Sequence, residues 1–263
     1  MEKINITVHD DYRGMSAFVR SLHESFDGEG RLVQSGRNEV RIISCGDRRL
    51  AVKRFAHNGM LRRVMNAFRR SKAQKAYANA CLLRALCLPT PAPVAFVEVT
   101  GAFGLVADSY YICEYTDMEA VGSGLREDGD FNRPLTSALA RFVAGLHIKG
   151  VFHHDLNSTN ILYRETDGSY AFTLIDINRM AVEFEPEFVS IDDCLRNITR
   201  FSCRSQMFCF FVKEYLRARG LPESLFGRAM KIKSGHDRRY AGKKKVTAML
   251  KRLIGKNTVI SLL

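Results

Sequence analysis

Short stretches with the apolar pattern of strands recur along the first 115 positions. The clearest are residues 4–8, 50–55, 94–99 and 109–115. After residue 116 the apolar residues recur at helical spacing instead, as in the stretch that Pro134 opens and Gly150 ends. We therefore expect an α+β fold, with a small antiparallel sheet over residues 1–115 and a mostly helical lobe over residues 116–263.

One polar cluster lies between the apolar anchors of residues 151–162. It reads His153-His154-Asp155-Leu156, and Asn160 follows. The spacing is that of the catalytic loop of protein kinases, H-R-D-L-x-x-x-N, in which the Asp meets the acceptor hydroxyl and the Asn holds Mg²⁺. A surface turn is the alternative, because Asp, Asn and Ser are common in turns.

A second acid follows at a spacing that favours the kinase interpretation. The apolar run 171–175 ends at Asp176, and an Asp167-Gly168 turn precedes it. This pattern predicts a hairpin that carries Asp176 back beside Asn160. Carboxylate and amide oxygens are ligands that Mg²⁺ prefers. Asp176-Ile177-Asn178 stands where kinases have D-F-G.

Four further residues are candidates for a nucleotide site. Leu50-Ala51-Val52-Lys53 resembles the V-A-I-K strand of kinases, and strand alternation puts Ala51 and Lys53 on one face. We expect Ala51 beside adenine and Lys53 at the phosphates; an edge lysine facing water is the alternative. Gly36 is expected in the phosphate-covering loop, where a plain hairpin turn is the alternative. Glu114 is expected in the hinge, where backbone groups meet adenine.

The segment 54–97 contains eight Lys and Arg but no Asp or Glu, although kinases place there a helix Glu that pairs with the strand lysine. We expect Lys53 to contact Asp176 instead. Asn79 is predicted to face the same cleft and to accept a hydrogen bond from Lys53 through its side-chain oxygen. Asn79→Glu would then raise ATP affinity or leave it unchanged. The alternative is that Asn79 faces water or caps a local backbone group.

The chain is basic, with 40 Lys and Arg against 28 Asp and Glu, a net charge of +12 and a pI near 9.5. Such a charge favours an anionic partner, which can be nucleic acid, a phospholipid surface or a phosphorylated saccharide. A basic surface that serves solubility explains it equally. The basic amphipathic stretch 60–75 predicts a helix on an anionic membrane, or a helix packed on the sheet with a solvated basic face.

Seven cysteines, an odd number without a C-x-x-C pair, indicate reduced thiols and a cytosolic compartment. We find no apolar segment typical of a signal peptide and none long enough to span a membrane.

Three stretches are similar to the bacterial lipopolysaccharide kinase family: residues 88–95 (LPTPAPVA), 150–153 (GVFH) and 160–163 (NILY). The similarity extends over residues 36–211 or thereabouts. It implies a bilobal protein-kinase-like fold that phosphorylates Kdo or heptose of the inner core with ATP and Mg²⁺. It further implies that Asp155 orients or deprotonates the hydroxyl, that Asn160 and Asp176 hold Mg²⁺, and that Lys53 anchors the phosphates.

The resemblance implies a lipid-linked anionic saccharide as acceptor, an anionic membrane surface as partner, and a peripheral position on the inner face of the cytoplasmic membrane. No nucleic-acid partner is expected, and nothing in the sequence indicates the oligomeric state. Two alternatives stay open: a protein or small-molecule kinase of the same fold, and a catalytically impaired pseudokinase or scaffold. The second arises because the helix Glu is absent, His154 replaces the loop Arg, and Asn178 replaces the Gly of D-F-G.

Overall fold

The computed structural model describes residues 3–36, 38–56, 70–101, 105–126, 130–201 and 205–260. The chain forms two compact units, the first comprising residues 1–126 and 151–182, the second residues 127–150 and 183–263. The segment that carries the candidate catalytic loop therefore belongs to the same unit as the N-terminal strands. Most of the predicted basic helix at 60–75 lies outside the described residues.

The first unit is built on a six-stranded antiparallel sheet. Its spatial order is β1 (Lys3–Val8), β5 (Pro93–Thr100), β6 (Val106–Glu114), β4 (Arg48–Ala56), β3 (Asn38–Cys45) and β2 (Arg31–Gln34). Strand alternation divides the side chains of β4, so that Leu50 and Val52 are buried in the hydrophobic core while Lys53 lies on the other face. The expected antiparallel N-terminal sheet is confirmed.

One face of this sheet is covered by α1 (Ser16–Ser25), whose Val19 and Leu22 are fully buried in the core. A 3-10 turn (Asp10–Met15) precedes the helix. His9 caps this turn, and its Nδ1 accepts the amide of Asp11 at 3.3 Å.

Helix α2 (Lys72–Ala85) packs against β5 and β6. It begins at Ser71, whose hydroxyl accepts the Gln74 amide at 3.0 Å and so satisfies one of the free amides of the first turn. Its buried positions include Ala73, Ala76 and Ala80, and such small side chains allow the helix to lie close to the sheet.

The remaining elements of the first unit are short. They are β7 (Glu119–Ala120), α3 (Val121–Gly124), β8 (Val151–His153), β9 (Ile161–Thr166), β10 (Ser169–Leu174) and β11 (Met180–Val182). Strands β10, β9 and β7 form one sheet, and β11 pairs with β8. In the β9–β10 turn Asp167 and Gly168 have φ of 50° and 72°, as a tight hairpin requires.

The second unit is helical. It contains α4 (Arg133–Ile148), α5 (Ile191–Ile198), α6 (Ser205–Ala218) and α7 (Leu225–Ile260). His147 of α4 is buried, with Nδ1 2.8 Å from the Tyr215 hydroxyl and Nε2 3.1 Å from Asn197 Oδ1. Burial lowers the pKa of His147 to about 4, so the ring is neutral and structural. Within the described part of the chain, no helix has the length and apolar character needed to cross a bilayer.

Candidate active site

Strand β4 presents Lys53 to a contact with the acid that follows β10. The Lys53 ammonium donates a hydrogen bond of 2.7 Å to Asp176 Oδ1, and it lies 5.1 Å from the centre of the Phe55 ring. The lysine side chain is mostly buried and the carboxylate is 30% exposed, so the pair is only partly screened by water. The Lys53–Asp176 contact predicted from the sequence is therefore present.

The β9–β10 hairpin brings Asn160 beside Asp176. Ile161 pairs with Leu174, and the Ile175 amide donates to the Asn160 carbonyl at 3.0 Å. The side-chain nitrogen of Asn160 donates to the Asp155 carbonyl at 2.9 Å, which fixes the orientation of its amide group. The hairpin and the loop thus converge as the sequence pattern predicted.

The end of β10 is also fastened to the segment before β5. The Leu174 amide donates to Pro89 O at 3.0 Å, and the Thr90 hydroxyl donates to Leu174 O at 2.9 Å. Thr90 is buried and lines the same cavity as Lys53. This segment, one of the three stretches that carry the family resemblance, therefore holds the residue two positions before Asp176 against the sheet.

Asp176 itself has a left-handed backbone, with φ 55° and ψ 41°. A positive φ is uncommon outside glycine, although Asp and Asn tolerate it, and such conformations concentrate at functional sites. The 3-10 turn Ile177–Arg179 follows at once. The backbone thus reverses sharply at the residue whose carboxylate pairs with Lys53.

His153 connects the catalytic loop to the strand that leads to Asp176. Its Nε2 is 2.9 Å from Ile175 O, and its Nδ1 accepts the Asp155 amide at 3.2 Å. Burial lowers the pKa of His153, which keeps the ring neutral so that one nitrogen donates and the other accepts. The ring therefore orients the backbone at Asp155 relative to the metal-binding candidates.

Asn157 is a site residue that sequence reasoning missed. Its side-chain nitrogen donates to Asp155 Oδ1 at 3.3 Å, and its oxygen accepts the amides of Thr159 (2.9 Å) and Asn160 (3.1 Å). An Asn that accepts backbone amides two and three positions ahead closes an Asx turn. The sequence contains one signal of this contact, the Asp155-x-Asn157 spacing. An Asn side chain in an Asx turn can reach back to a carboxylate two residues before it.

A cavity of about 480 Å³ connects these groups, a volume suited to a small-molecule ligand. The sheet supplies apolar lining, including Val40, Ala51, Phe55 and Tyr111, and the loop and hairpin supply Thr159, Asn160 and Asp176 beside Lys53. Burial raises the pKa of the Cys113 thiol, also in the wall, to about 12, so it stays protonated. The cavity offers an apolar surface for a flat ring and a charged end for phosphates.

Two predicted nucleotide-binding residues are not among the described residues that line this cavity. The Glu114 carboxylate pairs with Arg48, and the Glu114 amide donates to Ala92 O at 2.9 Å. Both groups therefore already have partners within the protein. Gly36 lies after β2 with φ 139°, a conformation that favours glycine, while Val33 and Gln34 reach the wall instead. Nucleotide roles for Gly36 and Glu114 stay predictions.

The predicted acceptor role of Asn79 is wrong. Its side-chain nitrogen donates to Ile177 O at 2.7 Å and to Met180 O at 3.4 Å. The Ile177 carbonyl also accepts the Met180 amide, so the Asn79 side chain adds a second hydrogen bond there and brings a donor to the carbonyl of Met180, the first residue of β11. Asn79 therefore binds the backbone of the candidate metal-binding segment, where it serves as a donor rather than as an acceptor for Lys53.

The oxygen atoms present suit a magnesium ion. Mg²⁺ is commonly bound by one or two protein oxygens and completed by waters and substrate phosphates, and the cavity wall offers the carboxylate of Asp176 and the amide of Asn160. In the described part of the chain, no cluster of three or more His, Cys, Asp and Glu offers a different metal site. The donor set therefore fits a cation that arrives with a nucleotide.

Comparisons with known proteins agree with this geometry. The model of the "Lipopolysaccharide kinase (Kdo/WaaP) family" matches residues 27–207, which is more than half of the chain. The solved structure "WaaP in complex with acyl carrier protein" is similar with a TM-score of 0.59 and 14% identity, over 89% of this chain and 97% of that one. This second similarity shows the fold.

A kinase domain of Mycobacterium tuberculosis PknI aligns over 56% of both chains with 16% identity and a TM-score of 0.39. No curated protein matches the chain. The family match and the fold together decide the assignment. The chain is a kinase with an α+β protein-kinase-like fold, and it belongs to the lipopolysaccharide kinase (Kdo/WaaP) family.

Proposed function

We propose that the chain transfers the γ-phosphate of ATP to a sugar hydroxyl of the lipopolysaccharide inner core in a Mg²⁺-dependent reaction. The observation that carries the proposal is the convergence of Lys53, Asn160 and Asp176 on one cavity, with the Lys53–Asp176 contact at 2.7 Å. Asp155 joins them because its carbonyl accepts the Asn160 side chain. Family membership makes the lipopolysaccharide core the first acceptor to test.

Phosphoryl transfer needs positioning and charge neutralisation more than covalent chemistry from the protein. Asp155 accepts the proton of the sugar hydroxyl, or orients that hydroxyl, while Asn157 and His153 fix the loop around it. Lys53 binds the phosphates. Asn160 and Asp176 would hold Mg²⁺, which would neutralise the negative charge of the ATP phosphates. ATP is the donor of the phosphoryl group.

The acceptor in this proposal is anionic and lipid-linked. The net charge of +12 favours attraction to such a substrate and to the anionic surface that carries it. We therefore place the enzyme peripherally at the inner face of the cytoplasmic membrane. The interaction is electrostatic, so it should weaken as salt concentration rises.

The experiment combines purified protein, ATP and Mg²⁺ with lipid A–core isolated from a strain that lacks this chain. Mass spectrometry of the product identifies phosphate on Kdo or heptose, and generic protein substrates and free sugars are assayed in parallel. Phosphate on the core supports the proposal; phosphate only on another acceptor redirects it to a different kinase of the same fold. Because the solved WaaP structure holds acyl carrier protein, each assay is repeated with that protein added.

Nucleotide binding without transfer to any acceptor would favour the pseudokinase alternative. The feature that motivates this alternative is the lack of Asp or Glu in α2, which leaves Lys53 without a helix carboxylate. Its pairing with Asp176 supports the view that the lysine is nevertheless held at the site.

A further inference from the structure

The second unit contains a cavity of about 350 Å³ formed by the end of α5 and the middle of α7. Its polar lining is dominated by cationic or donor groups: Arg196, Arg200, His236, Arg239 and Tyr240. No Asp or Glu is among the described residues of its wall. All of these side chains belong to the helical unit, and none takes part in the candidate active site.

Among the residues that the structure describes, two of the three guanidinium groups have no acidic partner. Arg196 is paired with Asp193 at 2.7 Å and approaches Asp192 at 3.6 Å. Within the described ranges, no side chain pairs with the guanidinium of Arg200, and Arg239 bonds the Gly235 carbonyl of its own helix at 3.2 Å. Like charges that share a cavity repel each other, and a bound anion would relieve that repulsion.

The frame of this cavity is fixed by Lys233. This lysine is 9% exposed, and its ammonium donates to Thr199 O and Phe201 O at 3.2 Å each and to Asp237 Oδ1 at 3.0 Å. The carbonyls lie just beyond the end of α5, where a cation stabilises the helix dipole and its free carbonyls. These hydrogen bonds connect the end of α5 to α7 and so fix the relative positions of Arg200 and Arg239, which line the cavity.

The remaining groups suit a phosphate rather than an apolar ligand. The His236 and Tyr240 rings are stacked, with centroids 6.4 Å apart. His236 Nδ1 lies 3.2 Å from Asp237 Oδ1, so the protonated ring can offer Nε2–H to a ligand, and Tyr240 can add its hydroxyl. Arginine presents its N–H groups in a planar fork that matches phosphate oxygens two at a time. We propose that this cavity binds a phosphate group. Two sources would present it: an anionic phospholipid headgroup or a free phosphorylated ligand.

The test compares the double variant Arg200→Gln/Arg239→Gln with wild type. Arg238→Gln is the matched control, because Arg238 is exposed on the same helix, carries the same charge, and is not among the lining residues. Inorganic phosphate is titrated calorimetrically in one arm. The other arm measures co-sedimentation with mixed phosphatidylglycerol–phosphatidylcholine vesicles and with pure phosphatidylcholine vesicles. Arg200→Gln alone and the thermal unfolding midpoint of every variant guard against misfolding.

Loss of two charge-assisted contacts should weaken phosphate binding by about tenfold or more in the double variant, with little change in Arg238→Gln. Phosphate bound in the nucleotide cavity would not respond to these substitutions. Parallel loss of binding to phosphatidylglycerol vesicles identifies the lipid source, and intact vesicle binding identifies a free phosphorylated ligand. Unchanged phosphate affinity, or an equal loss in Arg238→Gln, overturns the proposal.

Discussion

The ammonium of Lys53 lies 2.7 Å from the carboxylate of Asp176, so the strand lysine pairs with the acid after β10. Helix α2 carries no Asp or Glu that could take this lysine instead. One carboxylate therefore serves two cations, because Asp176 neutralises Lys53 and is also the candidate ligand of Mg²⁺. If Asp176 binds Mg²⁺ as proposed, the lysine competes with the metal when no nucleotide is bound.

Replacing Lys53 should separate its competition with Mg²⁺ from its proposed contact with the phosphates. Lys53→Met frees Asp176, so Mg²⁺ affinity measured without nucleotide should rise. Phosphoryl transfer should fall by about 10²–10³, the range for losing one electrostatic contact to the transition state. Lys75→Met, an exposed lysine on α2, is the control and should change neither quantity. Weaker Mg²⁺ binding in Lys53→Met would contradict the competition.

Asn79 gives a second prediction, opposite to the one made from sequence. An acidic residue at this position would set a carboxylate against the carbonyls of Ile177 and Met180, which now accept from the Asn79 amide. Asn79→Asp should therefore lower the free energy of unfolding by about 1–3 kcal/mol and reduce Mg²⁺-dependent turnover, because both carbonyls lose the side-chain donor and only the Ile177 carbonyl keeps a backbone donor, the Met180 amide. Asn79→Glu should do the same.

Denaturant unfolding and initial rates at varied Mg²⁺ check the Asn79 prediction. Gln74→Glu on the same helix is the matched control, since it makes the same amide-to-carboxylate change away from those two carbonyls. A rise in ATP affinity in Asn79→Glu without loss of stability would restore the interpretation from sequence.

The buried His147 should make the free energy of unfolding fall in acid. Its pKa is about 4 in the folded chain against 6.5 when free, so the unfolded state binds the proton first. The stabilising contribution is complete above pH 6.5 and is lost as the pH falls toward 4, by up to about 3 kcal/mol. Burial also lowers the pKa of His153, which acts in the same direction.

Urea unfolding at a series of pH values tests this assignment. His147→Gln removes the titrating ring, so its free energy of unfolding should be lower at neutral pH but should fall less between pH 6.5 and 4. The same acid-dependent loss in His147→Gln and wild type would show that other groups cause it.

The strands and the hairpin could be predicted because local pattern determines them. The alternation around Lys53 and the Asp167-Gly168 turn each specify their own geometry, and the pairing of Ile161 with Leu174 follows from the turn. The order of β1 at the sheet edge, beside β5, depends on contacts across more than ninety residues of sequence and was not visible in the pattern. The short elements β7 and α3 were likewise not visible in the pattern.

The candidate site was likewise predicted only in part. Asp155, Asn160 and Asp176 were found because the spacing of a loop and a hairpin brings them together. The role of Asn79 was misjudged because helical spacing gives a face but not the partner on it, and the partner is a backbone carbonyl 98 residues away. Local periodicity contains no information about which backbone groups lack a donor.

The measurement that tests the central claim most directly is the turnover of Asp155→Asn with lipid A–core, ATP and Mg²⁺. The substitution preserves the size of the side chain and removes the carboxylate that we propose accepts the proton of the hydroxyl or orients it. We predict unchanged nucleotide affinity and a loss of turnover of about 10²–10⁴, the range for general acid–base groups. Undiminished phosphate transfer by Asp155→Asn would contradict the assignment of this loop as the catalytic loop.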